Sequence, residues 1–206
     1  MRTTLLLPSL ILGIAAVAHP QGKHWTETLD ETIWRGRYGN CDHGYFVNLP
    51  PGVIGHDLRS PSPNHGILIS AKDPAITTQV TLKEPRVLDV YDSLDAGELG
   101  SPQAYVERYV LKPKSASERI TILERRDTKF RGSTALYVHF RKETEHSKSE
   151  VEELVVYRAA TDIGPSFYVV MLQSTPEFYS LDHRLYLQIR QGLKFVHVPV
   201  SECSND

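Results

Sequence analysis

A chain of 206 residues with 40% hydrophobic and 23% charged side chains holds enough apolar material for a buried core, and no run beyond the N-terminus approaches membrane-spanning length. Its 23 basic and 25 acidic residues nearly balance, which excludes the basic footprint that nucleic acid or an anionic lipid surface requires. No G-x-S-x-G, S-x-x-K, H-E-x-x-H or P-loop motif occurs, so the sequence offers no compact signature of a serine hydrolase, a zincin or a nucleotide binder.

The chain starts Met1-Arg2, runs through an apolar stretch from Leu5 to Val17 and reaches Ala16-Val17-Ala18. A basic start, a short apolar core and small residues at the last and third-last positions predict a secretory signal peptide over residues 1–18, cleaved between Ala18 and His19. This stretch of thirteen residues, interrupted by Pro8, Ser9 and Gly13, falls short of the roughly 20 apolar residues that a spanning helix needs. No cysteine follows the cleavage point to carry a lipid, so the expected product is free, periplasmic or extracellular, and not inserted in a membrane. It would have 206 − 18 = 188 residues and, without Arg2, 22 basic against 25 acidic side chains, a net charge of −3.

Residues 19–42 are polar around Trp25 and Trp34 and read as an irregular lead-in to a single α+β domain over 43–198, with 199–206 as a tail. Tyr45, Val47 and Leu49 alternate and stop at Pro50-Pro51-Gly52, which predicts a first strand. Four prolines make 50–65 loop or edge, and extended runs follow at 66–70, 77–82 and 86–91. Ser101 as N-cap, Pro102 at the first helical position and apolar residues at helical spacing predict a helix that Pro113 ends. A hairpin turning at Gly132 joins the run from Arg119 to the run Thr134–Arg141, which places Leu136, Val138 and Phe140 on one face. Eight charges in the thirteen positions 141–153 read as a solvated hairpin tip. Strands resume at Leu154–Tyr157 and after Gly164-Pro165. A closing helix opens at Thr175-Pro176-Glu177 with the stripe Phe178, Leu181, Leu185 and Ile189, and Gly192 caps it before a last extended segment. Consecutive strands with short turns argue for an antiparallel sheet, and two amphipathic helices must cover its faces.

The segment GYFVNLPPG (44–52), the Gly132-x-x-Ala135 turn, and the Thr175-Pro176-Glu177-Phe178-Tyr179 helix leading to GLKFV (192–196) together resemble the PsbP-like family across residues 43–197. The resemblance implies an α/β/α sandwich and a small accessory, assembly or binding domain without shared catalytic machinery. It implies no site residues. The proline-rich segment 50–65 departs from the photosynthetic members.

The densest chemistry-bearing cluster is Cys41, Asp42, His43, His56, Asp57 and His65. Imidazole with carboxylate suits a divalent metal such as zinc, copper or manganese, although the spacing matches no closed site and loop histidines are commonly solvated. No other cofactor is evident. A Cys41 and His43 dyad lacks a third orienting group. His139 either lines a groove or is a satisfied, partly covered histidine, and Asp182-His183 reads as helix surface. Cys41 and Cys203 either pair, closing a loop of about 160 residues worth roughly 4 kcal/mol in the chain-entropy model, or remain a buried thiol and a tail cysteine. The preferred expectation is therefore an exported, non-catalytic accessory or binding domain whose partner is a protein or small molecule met outside the cytoplasm. The alternative is a metal-binding protein or metal-dependent enzyme using His43, His56, His65, Asp42 and Asp57.

Overall fold

The computed structural model describes residues 33–57, 66–70, 86–93, 96–159, 161 and 164–196, all within the unit Thr32–Asp206. In chain order the strands are β1 (Ile33–Arg35), β2 (Arg37–Asn40), β3 (Tyr45–Asn48), β4 (Ile54–Asp57), β5 (Gly66–Ser70), β6 (Val87–Ser93), β7 (Arg119–Phe130), β8 (Ser133–Glu143), β9 (Lys148–Arg158), β10 (Ser166–Ser174) and β11 (Leu193–Phe195). Between β6 and β7 lie the short helices α1 (Ala96–Leu99) and α2 (Pro102–Tyr105), the latter running on as a π-helical turn over Val106–Val110; α3 (Tyr179–Gly192) follows β10.

Among the described residues the strands form an eight-stranded antiparallel sheet, β1-β4-β5-β6-β10-β9-β8-β7, and a three-stranded sheet, β11-β3-β2. The chain leaves β6, crosses the large sheet through α1 and α2 to the far edge, and returns strand by strand until β10 lies beside β6. The central strands β8, β9 and β10 are buried for most of their length, because both faces of the sheet are covered. Alternation then sorts their side chains. Leu136, Val138, Phe140, Val151, Val155, Phe167 and Val169 pack with Ala96, Tyr105 and Val106 of the crossover. Ala135, Tyr137, Leu154, Val156, Tyr168, Val170 and Leu172 pack with Tyr186 and Ile189 of α3 and with Tyr38, Tyr45 and Val47 of the small sheet. Each fully buried large apolar side chain contributes roughly 1.5–3 kcal/mol relative to exposure.

The β7–β8 hairpin turns through Arg131 and Gly132, both at positive φ (49° and 81°), the two-residue geometry that matches strand twist. Arg131 tolerates the left-handed conformation because its guanidinium is anchored: it donates to the carbonyls of Leu193 (2.6 Å) and Gln191 (2.7 Å) at the end of α3. Those are the carbonyls that a helix C-terminus leaves unpaired. Ser101 caps α2 by accepting from the Ala104 amide at 3.2 Å, as its sequence position predicts.

The structure departs from the sequence expectation in four places. Residues 33–40 are not an irregular lead-in: β1 pairs with β4, and β2 with β3. Within 50–65, Ile54–Asp57 is an inner strand bonded on both sides, because the prolines stand at 50, 51, 61 and 63 and spare its amides. The charged stretch 141–153 is mostly strand. Its tip is only the Thr144–Ser147 turn, closed by a 2.8 Å backbone bond, while Glu152 and Glu153 are buried in β9. Finally, α3 begins at Tyr179 after a turn whose Phe178 and Tyr179 amides donate to the Thr175 carbonyl. It buries Asp182, Tyr186 and Ile189, leaving Leu181 53% exposed. The strand expected at 77–82 lies outside the described residues.

Candidate functional site

On the face of the large sheet that α3 covers, β8 projects Tyr137, His139 and Arg141, and β9 projects Glu150 and Glu152. The register pairs His139 with Glu152 and Arg141 with Glu150. Glu152 is 0% exposed, and a carboxylate so placed needs donors on both oxygens. Tyr137 Oη donates to Oε2 at 2.6 Å; Tyr179 Oη and His183 Nδ1, both from the first turns of α3, meet Oε1. Three donors from two elements thus tie α3 to the sheet.

Around this anchor the rings form a column. His139 stacks on Tyr179 (centroids 5.2 Å apart, planes 6° apart), Tyr179 leans on His183 at 5.6 Å, and His183 lies 6.2 Å from Tyr186. His139 Nε2 pairs with Glu150 at 2.9 Å, and Arg141 reaches the same carboxylate at 3.0 Å. Burial works against ionised Glu150, but the Arg141 and His139 hydrogen bonds outweigh it and hold its pKa below the ordinary value. Burial first, then the Glu152 bond, pushes the Tyr137 and Tyr179 hydroxyls well above their usual range, so both stay protonated as donors. The His183 side chain is 33% exposed, and its Nε2 makes no hydrogen bond among the described residues. It is an imidazole oriented from behind by a buried carboxylate and open in front.

Asp182 and His183 are not helix surface. They point about 100° apart, so one turns to β10 and the other to β9. Asp182 is 7% exposed, accepts from Ser174 Oγ at 2.6 Å and Arg86 Nε at 2.7 Å, and pairs with the second arm of the same guanidinium. Arg86 in turn lies over the Phe178 ring at 4.5 Å. The charge of this dipeptide suggests solvent; partners 96 and 31 residues away in sequence make its burial possible. His139 is the satisfied, partly covered histidine of the two readings open for it.

The loop-histidine cluster takes a different form. His43 Nδ1 lies 2.8 Å from Asp92 Oδ2 of β6, its carbonyl accepts from Tyr168 Oη at 2.8 Å, and its amide donates to Asn40 Oδ1 at 3.1 Å. It ties the β2–β3 turn to the large sheet. His56 is half-buried within β4, and Asp42 is exposed in the turn. His65, Cys203, Ala18, His19 and the Asp57 side chain lie outside the described residues, among which no three His, Cys, Asp or Glu side chains come together to hold a metal ion and no cysteine is free. No serine, threonine or cysteine hydrogen-bonds to His139 or His183, so neither imidazole faces a nucleophile among the described residues.

No family model and no curated protein matches this chain. Its structure is similar to the solution structure of cyanobacterial PsbP from Synechocystis, with TM-score 0.53 and 16% identity over 80% of this chain and 92% of the other. Two further solved structures are more distant. LpqN, involved in cell envelope biogenesis of Mycobacterium tuberculosis, has TM-score 0.49 and 9% identity over 83% and 96% of the two chains; a Pseudomonas aeruginosa protein of unknown function has TM-score 0.43 and 14% identity over 55% and 74%. Antiparallel sheets built this way, with few helices among the described residues and the cyanobacterial likeness, define a sheet-rich α+β chain with a PsbP-like fold.

Proposed function

We propose that the protein is an exported, non-catalytic accessory domain of the α/β/α-sandwich type, with the α1–α2 crossover on one face of the sheet and α3 on the other. It recognises a protein or small molecule outside the cytoplasm through the His139–Tyr179–His183 column. One observation carries this reading: buried Glu152 is saturated by three donors, which fixes an open imidazole and an aromatic stack without supplying a nucleophile. A rigid, half-open ring surface recognises; it lacks the means to attack. Export rests on the 1–18 leader, and a Cys41–Cys203 bridge in the oxidising compartment belongs to the same proposal. Among the described residues no helix is long and apolar enough to cross a membrane.

The test is comparative capture. Immobilised mature protein and a His139→Ala/His183→Ala variant are exposed to the extracytoplasmic fraction of the source cells, and retained proteins and small molecules are identified by mass spectrometry. The proposal expects a species held by the first and released by the second. Equal retention by both, or no specific retention, overturns it. N-terminal sequencing of the secreted chain should begin at His19; an intact leader would remove the export half of the proposal.

A further inference from the structure

The opposite face of the large sheet holds two acids with no part in the ring column. Asp89 of β6 and Glu153 of β9 both stand opposite Met171 of β10, so they flank it in one transverse row, two strand spacings or roughly 10 Å apart at Cα. Strand alternation sends both side chains to the same face. Glu153 is only 5% exposed and Asp89 is half-buried, and among the described residues neither Glu153 Oε2 nor Asp89 Oδ1 has a hydrogen-bond partner. Tyr91 Oη and Tyr105 Oη meet 3.2 Å apart beside them, and Met171, Val110 and Leu111 border the same apolar cluster. The titratable groups that face the pair are these two tyrosines, from β6 and α2, and Lys114 from the segment after the π turn; β10 contributes none. Lys114 is exposed, and its charge is felt at Glu153.

Buried carboxylates are ordinarily paired, bound to metal or neutral. We propose that Asp89 and Glu153 form a binding site for a small alkylammonium ligand, whose charged head sits between the two carboxylates and whose stem lies against Met171 and the Tyr91–Tyr105 pair. An ammonium offers several donors to two separate acceptors, and its alkyl chain suits the apolar border. Tyrosine faces favour a cation further. A metal fits less well: calcium takes 6–8 oxygen ligands, and no third His, Cys, Asp or Glu joins the two acids among the described residues. Without a ligand, burial pushes Asp89 to about 7 and Glu153 to about 8, Glu153 being raised further by Asp89, so the empty site is neutral in acid, takes its first charge near pH 7 and is doubly charged only above about pH 8. Binding must therefore release protons near neutrality. The site stands on the face opposite the ring column and does not depend on that surface having a partner.

Isothermal titration of the mature chain with cadaverine, at about pH 9 and about pH 5.5, on either side of the two titrations, tests the site. The expected result is saturable binding at the higher pH, weakened about tenfold or more at the lower, and weakened about tenfold or more by Asp89→Asn/Glu153→Gln. Both amides keep the shapes of the acids they replace, and far-UV circular dichroism reports whether the variant folds. Should it not fold, proton release by the unmodified chain near pH 7, read from titrations in two buffers of different ionisation enthalpy, decides alone. No saturation at either pH, equal affinity in the folded variant, no proton release, or displacement of cadaverine by a stoichiometric Mn²⁺ ion would each overturn the assignment.

Discussion

Glu153 sets a sign for the pH dependence of stability that runs against the common pattern of acid denaturation. Its pKa is raised from an ordinary 4.5 to about 8, chiefly by burial, with Lys114 opposing and Asp89 adding. Because the folded form holds the proton more tightly, nothing is lost below about pH 4.5, where folded and unfolded chains are both protonated. Between there and about pH 8 the unfolded chain gives up a proton that the folded chain retains, so stability falls as pH rises, and above 8 the loss is complete. A rise from 4.5 to about 8, at about 1.4 kcal/mol for each tenfold change in proton affinity, puts the full effect at about 5 kcal/mol, an upper bound because a charged side chain can draw in water. Asp89 acts in the same direction, and the two titrate as a coupled pair. The perturbation is Glu153→Gln, which keeps the shape and removes the titration. Urea unfolding followed by tryptophan fluorescence, from about pH 4 to about pH 9, should show the difference between variant and parent growing steadily in the variant's favour across that range. Parallel curves would refute the reasoning.

Three further outcomes follow from the same kind of accounting. Tyr137→Phe removes a donor from buried Glu152 and should cost about 1–3 kcal/mol; with Tyr179→Phe the losses should be non-additive in a double-mutant cycle, because both hydroxyls serve one carboxylate. Arg86→Ala leaves Asp182 buried with Ser174 as its one remaining side-chain donor among the described residues and should cost about 3 kcal/mol in chemical denaturation, whereas an exposed pair such as Arg108–Glu98 should cost less than about 1 kcal/mol. Gly192→Ala should be destabilising by about 1–3 kcal/mol, since its Cβ would collide with the Asn48 backbone carbonyl, which cannot yield as a side chain can; a thermal midpoint unchanged from the parent would contradict that contact.

Much of this architecture is legible locally. Period-two alternation at Tyr45–Leu49 and Leu136–Phe140, the Ser101-Pro102 start and the Gly132 turn all depend on neighbours a few residues away, and they appear where the pattern places them; the closing helix is present too, but it opens at Tyr179 rather than at Thr175, and Gly192 is its last residue rather than its cap. The errors share one cause. Ile33–Asn40 and Ile54–Asp57 are strands because distant strands complete their hydrogen bonds, which no local pattern announces. The stretch 141–153 looks like a solvated tip because eight of its side chains are charged, yet β9 carries Glu152 under α3 and Glu153 onto the other face. One signal was available: Glu150 and Glu152 alternate with Val151 before the apolar run Leu154–Val156, so a strand was already under way.

The sequence by itself determined the near balance of charge, the identity and order of most elements and the PsbP-like resemblance, because these follow from composition and from interactions a few residues apart. Only the tertiary structure decided which charged residues are buried and what faces them. Glu152 meets Tyr179 and His183 across 27 and 31 residues, Asp182 meets Arg86 across 96, and Asp89 and Glu153 share a row across β10. Whether a carboxylate is solvated, paired or stranded depends on the partners that folding delivers, and those partners are set by sheet order and register.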